Sequence, residues 1–116
     1  MTGVELIAAE RERQIAKEGW TAEHDAEHER GEMALAAACY AAPVPIHAKM
    51  LVRDPRCNCR SVDECRHPDL ERWMDPWPWD EEWDKRKQHD RLRQLTIAGA
   101  LIAAELDRLL KLGAGV

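Results

Sequence analysis

The chain contains no phenylalanine and a single tyrosine, so five tryptophans supply most of its aromatic bulk. It has no apolar stretch near the roughly 20 residues that a transmembrane helix needs. Residues 1–5 contain no basic segment leading into an apolar one, as a secretion signal would. The net charge of −5 at pH 7 leaves no excess of basic residues. We therefore expect a cytoplasmic protein that binds neither membranes nor, directly, nucleic acid.

Alanine makes up much of the 45% apolar fraction of this chain of 116 residues. It favours helix and lets helix axes approach closely, but it buries little area. A single domain of this size with an alanine-rich core is thinly stabilised. We expect additional stability from association into a homo-oligomer, from a structural metal or from packing of the tryptophans.

Three segments have the apolar periodicity of helices and none has that of a strand, so the predicted fold class is all-α. The predicted helices span residues 3–18, about 26–42 and about 84–112. Residues 43–80, rich in Pro, Cys and Trp, predict a long irregular excursion from a single helical domain, 1–116.

Local residues predict how these helices begin, end and pack. Thr2 and Glu5 suit a capping box before the first helix, and Gly19 can take the positive φ that ends it. Pro43 ends the second helix. The third helix has a clear apolar stripe, expected to face the core, with small residues at 99–100 and 103–104 that would fit the alanine-rich second helix. The stripe comprises Leu92, Leu95, Gly99, Ile102, Leu106 and Leu109, and it is widened by Leu101 and Leu110.

A polar loop after the first helix is the first candidate site. His24, Asp25 and His28 follow Trp20 there, and the two histidines share a face if a helix begins near residue 23. Two imidazoles and a carboxylate at this spacing could bind a divalent metal or another ligand. The alternative is that Asp25 or Thr21 caps the second helix and the histidines bond to the backbone of its first turn.

The second candidate site is a set of zinc ligands within the excursion. It comprises Cys57, Cys59, Cys65 and His67. Three thiolates and one imidazole suffice for a tetrahedral structural zinc, which would also order a segment poor in apolar residues. The alternatives are surface thiols or a disulfide, the latter disfavoured in a reducing cytoplasm.

The third candidate site combines tryptophans with the basic stretch that follows them. Trp79 and Trp83 lie in the Pro-alternating segment 76–83, and Lys85, Arg86 and Arg91 come next. Tryptophans can stack on a base or anchor a protein partner, and the basic residues could contact phosphates. The alternatives are tryptophans that seal the core and a basic run that is a solvated helix face.

Three stretches of the chain carry a resemblance: EGWTAEHDAEHERGE at 18–32, AAACYA at 36–41, and WPWDEEW at 77–83 followed by AGALIAAEL at 98–106. With these stretches the chain resembles a family of small uncharacterised proteins of bacteriophages and prophages. The resemblance covers about residues 4–42 and 77–110 but not the cysteine segment. It implies a phage accessory protein acting in a bacterial cytoplasm and carries no activity with it.

The leading functional hypothesis is a non-enzymatic inhibitor of a host defence system that captures a protein or a small nucleotide signal. The first alternative is a metal-dependent nucleotide pyrophosphohydrolase of the MazG type. Its carboxylates would be Glu29, Glu32, Asp90 and Glu105, although the paired E-x-x-E and E-x-x-D motifs of such enzymes are poorly matched. The second alternative is a zinc-stabilised scaffold protein.

Overall fold

The computed structural model describes residues 1–20, 31–52 and 70–111 of the chain. Its helices are α1 (Gly3–Glu18), α2 (Glu32–Ala41) and α3 (Arg91–Lys111), its strands are β1 (Ala48–Val52) and β2 (Leu70–Met74), and 3-10 turns lie at Glu81–Trp83 and Arg86–Gln88. The chain forms two compact units, one of Met1–Pro45 with Trp77–Val116 and one of Ile46–Pro76. Within the described residues, no helix is long and apolar enough to cross a membrane.

Helix α1 has the ends that its sequence predicts. The Thr2 hydroxyl accepts the Glu5 backbone N–H, and the Glu5 carboxylate accepts the Thr2 N–H, which completes the capping box. Gly19 takes a φ of 71° and donates its N–H to the Gln14 carbonyl. The predicted span 3–18 is confirmed because both ends depend on local residues.

The second predicted helix is not continuous through Gly31, and its first predicted residues, 26–30, lie outside the described residues. Gly31 has a φ of 77°, outside the helical region, and α2 begins only at Glu32. A continuous helix over 26–42 is therefore wrong, while the predicted end before Pro43 is confirmed. Cys39 is buried in α2, as expected for a small apolar residue.

The fold is mostly helical but not all-α, because β1 and β2 pair antiparallel. Lys49 lies opposite Trp73 and Leu51 opposite Glu71, and the Lys49 ammonium lies 2.8 Å from the Glu71 carboxylate. This pair lies within the excursion that the sequence predicts to be irregular. A short alternation of half-buried and exposed side chains runs from Ile46 to Leu51. Strand β1 pairs with β2, which lies far along the chain, so the local periodicity of β1 does not reveal the pairing.

Helix α3 begins later than predicted. The Asp90 carboxylate accepts the backbone N–H of Arg93 at 2.8 Å, which makes Asp90 the capping residue. Asp84 instead accepts the backbone N–H of Arg86 at 3.2 Å within the preceding turn. The polar run 84–90 offers no apolar face for a longer helix to bury.

The core lies between α2 and α3, as predicted, but Gly99, one of the small residues expected to fit α2, lies against Ile7 of α1. Ala36 and Ala37 of α2 pack in one buried cluster with Ile97, Ala98 and Leu101 of α3. The predicted apolar stripe is not the buried face, however. Its large side chains are exposed: Leu92, Leu95, Ile102 and Leu106. The stripe prediction is wrong for these four residues, because α2 packs against Ile97, Ala98 and Leu101. Leu101, which widens the predicted stripe, is buried there.

Helix α1 crosses α3 closely at Gly99. A Cβ built on Gly99 would touch Ile7 Cδ1 and lie 2.7 Å from Ile7 Cγ1. Ile7 is β-branched and stiff at χ1, so it cannot move aside freely. Glycine at position 99 therefore permits the contact between the two helices.

We expect Gly99→Ala to lower the free energy of unfolding by about 1–3 kcal/mol through overpacking. In an Ile7→Ala background the same substitution is expected to be neutral or to stabilise by about 1 kcal/mol, because alanine is the better helix former. Urea unfolding of the four proteins in this double-mutant cycle measures the difference. An equal loss in both backgrounds would contradict the contact.

A buried carboxylate also joins α1 to α3. Glu10 accepts two 2.8 Å hydrogen bonds from the Arg13 guanidinium, lies 2.7 Å from Arg93 Nη2 and accepts a 3.2 Å bond from Gln14 Nε2. Burial by itself raises the pKa of Glu10, but the hydrogen bonds and charges of Arg13 and Arg93 outweigh it, so that pKa is lowered. A cavity of about 370 Å³ adjoins these residues. The charged groups around this cavity pair with one another or cap α3, so we do not regard the cavity as a candidate binding site.

Candidate functional site

A largely apolar pocket opens within the unit formed by 1–45 and 77–116. Its volume is about 390 Å³, in the range of small-ligand and side-chain pockets. Aromatic, aliphatic and acidic side chains line it: Trp20, Met33, Tyr40, Trp77, Pro78, Trp79, Asp80, Trp83, Ile97, Leu101 and Ala104. We call it the tryptophan pocket.

The helices supply the aliphatic part of the tryptophan pocket. Met33 comes from α2, and Ile97, Leu101 and Ala104 come from one face of α3. These four side chains are all buried, so they are fixed by the same packing that forms the core. The pocket therefore rests on the most rigid part of this unit.

Trp77 is held from several sides. Its ring makes edge-to-face contacts with Tyr40, at a centroid distance of 5.8 Å, and with Trp79, at 5.6 Å. Its indole N–H donates to the Asp80 carbonyl at 3.2 Å. Pro76 and Pro78 restrict the backbone on either side of it. Trp77 is thus positioned before any ligand arrives.

The Arg86 guanidinium packs on Trp77. It lies 5.2 Å from the centroid of the ring, within the range of a cation–π contact. Asp84 orients it through two hydrogen bonds, of 2.7 Å to Nε and 2.6 Å to Nη2. The hydrogen bonds from Arg86 in turn lower the pKa of Asp84. The Arg86 guanidinium is therefore already engaged with Trp77 and Asp84.

Trp20 enters the pocket from the end of α1. Its backbone N–H donates to the Gln14 carbonyl at 3.1 Å, and its carbonyl accepts a 3.0 Å hydrogen bond from Arg11. The left-handed conformation of Gly19 turns the chain at this point. The EGW sequence that ends α1 therefore also positions an indole.

The candidate ligand-binding residues fall into three groups: tryptophans that line the pocket, basic residues that do not line it, and residues outside the described part of the chain. Trp20, Trp79 and Trp83 all line the pocket. Lys85 is exposed beside the 3-10 turns, and Arg86 packs on Trp77 as described. Arg91 donates to the carbonyls of Tyr40, Ala41 and Ala42 at the end of α2. His24, Asp25 and His28 lie outside the described residues.

The candidate metal ligands Cys57, Cys59, Cys65 and His67 also lie outside the described residues. In 1–20, 31–52 and 70–111, no three His, Cys, Asp or Glu side chains are grouped to hold a metal ion. Two carboxylates considered for the hydrolase alternative have structural partners. Asp90 caps α3, and Glu105 pairs with Arg108 at 2.6 Å.

Several residues that line the pocket cannot be predicted from the sequence. Tyr40 and Met33 read as parts of an apolar helix, and Asp80 reads as a helix cap. They belong to the pocket only because α2, α3 and the segment 77–83 converge. The nearest sequence clue is the density of tryptophan in a chain without phenylalanine.

No family model, no curated protein and no solved structure matches the chain. The case for a site therefore depends on the geometry of the described residues.

Proposed function

We propose that the protein acts by binding, and that the tryptophan pocket captures a side chain of a protein target. The observation that carries the proposal is a preformed apolar pocket with five aromatic side chains and one carboxylate. Tryptophan and tyrosine are the residues that most often anchor protein interfaces, because they bury large area at small entropic cost. Together with the resemblance to phage accessory proteins, this favours an inhibitor that captures a host defence protein.

A protein target fits the pocket better than a nucleotide. Two of the three basic residues that could contact phosphates are engaged, Arg86 with Asp84 and Trp77, and Arg91 with the end of α2. The acidic residue that lines the pocket, Asp80, would repel a phosphate placed there. The net charge of −5 likewise favours a basic protein surface over a polyanion.

The proposal is tested by comparing two exposed tryptophans. Trp83 lines the pocket and is 57% exposed, whereas Trp73 lies on β2, outside the pocket, and is 72% exposed. Each is replaced by alanine in a tagged protein, which then captures proteins from the bacterium that carries the gene. We expect Trp83→Ala to retain at least about tenfold less target, as for an interface anchor, and Trp73→Ala to retain as much as the native protein.

Thermal unfolding of both variants serves as the control for folding. Because both side chains are largely solvated, neither substitution is expected to lower the melting temperature by more than about 3 °C. Equal retention by the two variants would contradict a role for the pocket.

A further inference from the structure

We infer that the group which enters the tryptophan pocket is the guanidinium of an arginine on the target. The inference rests on the proposed function, since it names the chemistry that the same pocket recognises. It is drawn from the aromatic walls, from the position of Arg86 and from the carboxylate of Asp80.

The walls of the pocket suit a cation. An aromatic ring carries negative charge density on its faces, so several rings around one cavity attract a positive group. Trp77 and Trp79 stand at 89° to each other, and Trp77 and Tyr40 at 69°. These rings contact each other edge to face, so the aromatic residues that line the pocket have different orientations.

The protein already places a guanidinium against one of these rings. Arg86 lies 5.2 Å from the centroid of Trp77 and is kept there by Asp84. An aromatic ring, a guanidinium and a nearby carboxylate are thus combined once within the chain. Asp80 and the other aromatic residues that line the pocket supply the same kinds of group to an external side chain.

Asp80 is available for this role. The 3-10 turn Glu81–Trp83 begins directly after it, yet the Asp80 side chain makes no capping hydrogen bond to that turn. Its backbone carbonyl accepts the N–H groups of Trp77 and Trp83, so the residue is held by its main chain. Asp80 lines the pocket, and its carboxylate is an acceptor that can receive a guanidinium.

Arginine fits these features better than lysine or an apolar residue. A guanidinium is planar, stacks on aromatic faces and is more weakly hydrated than an ammonium, so it enters an apolar pocket more readily. A guanidinium can pair with the carboxylate of Asp80, whereas an apolar side chain cannot. The volume of about 390 Å³ accommodates an arginine side chain together with a neighbouring residue.

The test uses three small probes with the full-length protein: the Nα-acetyl methylamides of arginine, citrulline and lysine. Citrulline keeps the shape of arginine but is neutral. Binding is followed by NMR through the indole N–H signals of the five tryptophans. We expect the arginine probe to bind in the millimolar range, with citrulline about tenfold weaker and lysine weaker than arginine. The indole of the exposed Trp73, outside the pocket, is expected not to shift.

Charge-matched variants test the part played by Asp80. Asp80→Asn and Glu81→Gln each remove one negative charge from adjacent exposed residues, but only Asp80 lines the pocket. We expect Asp80→Asn to weaken the arginine probe about threefold to fivefold, as for an exposed ion pair, and Glu81→Gln to leave it unchanged.

Two outcomes would overturn the inference. If citrulline binds as well as arginine, the pocket recognises shape and not charge, and the proposed function stands without its cationic ligand. If no probe shifts the pocket indoles, arginine recognition is excluded. The capture experiment with Trp83→Ala then decides the proposed function separately.

Discussion

Replacing Glu10 with glutamine is expected to lower the free energy of unfolding by about 2–4 kcal/mol. The substitution keeps the shape of the side chain but removes the charge that Arg13 and Arg93 share. Removing one partner of a fully buried pair costs about 3–5 kcal/mol. The expected loss is smaller because these two arginines are 39% and 35% exposed and regain some hydration.

Glu12→Gln is the matched control for this prediction. Glu12 lies two residues away on α1 and is exposed, so the same chemical change should alter stability by less than about 0.5 kcal/mol. Urea unfolding of both variants gives the two values. Equal losses would show that the buried network does not stabilise the junction of α1 and α3.

The same carboxylate predicts how stability depends on pH. The pKa of Glu10 is lowered from an ordinary value of 4.5 in the folded protein. Its contribution is therefore fully present above pH 4.5 and is lost as the pH falls through the lower native pKa. We expect the native protein to lose more stability than Glu10→Gln between pH 5 and pH 3. Parallel curves for the two proteins would contradict this assignment.

Leu101→Ala is expected to cost about 2–5 kcal/mol, whereas Ile102→Ala should cost less than about 1 kcal/mol. The two residues are adjacent on α3, but Leu101 is 3% exposed and Ile102 is 50% exposed. Leu101 packs against α2, so its truncation leaves a cavity that the alanine-rich partner cannot fill. Chemical unfolding of both variants measures the difference.

This pair also tests which face of α3 is buried. The apolar stripe predicted from the sequence includes Ile102, whereas Leu101 only widens it. If Ile102→Ala were the more destabilising variant, the orientation of α3 described above would be wrong. The comparison is internal, because both changes remove aliphatic carbons from the same helix.

The sequence predicts those features that depend on neighbouring residues. The ends of α1 follow from Thr2, Glu5 and Gly19, each of which acts within one turn. The end of α2 follows from Pro43. The buried face of α3 does not follow, because periodicity locates an apolar stripe without showing which neighbours cover it. The pairing of β1 with β2 depends on a partner remote in sequence.

The candidate site follows the same pattern. Trp20, Trp79 and Trp83 are recognisable from the sequence because tryptophan is the main bulky aromatic of this chain. The contacts of Arg86 and Arg91 cannot be predicted from the sequence. Arg86 contacts the ring of Trp77, and Arg91 binds the carbonyls at the end of α2, which is remote in sequence. Because these two arginines are already engaged, we propose a protein and not a nucleotide as the ligand of the pocket.

The most direct test of the account is the amount of target retained by Trp83→Ala relative to Trp73→Ala. Both variants carry the same change at an exposed tryptophan. The ratio of target retained by the two variants therefore separates binding through the pocket from nonspecific binding to exposed aromatic residues. Capture through the tryptophan pocket predicts a ratio of about one tenth or less. A ratio near one, with both variants folded, would mean that the pocket is not the binding site.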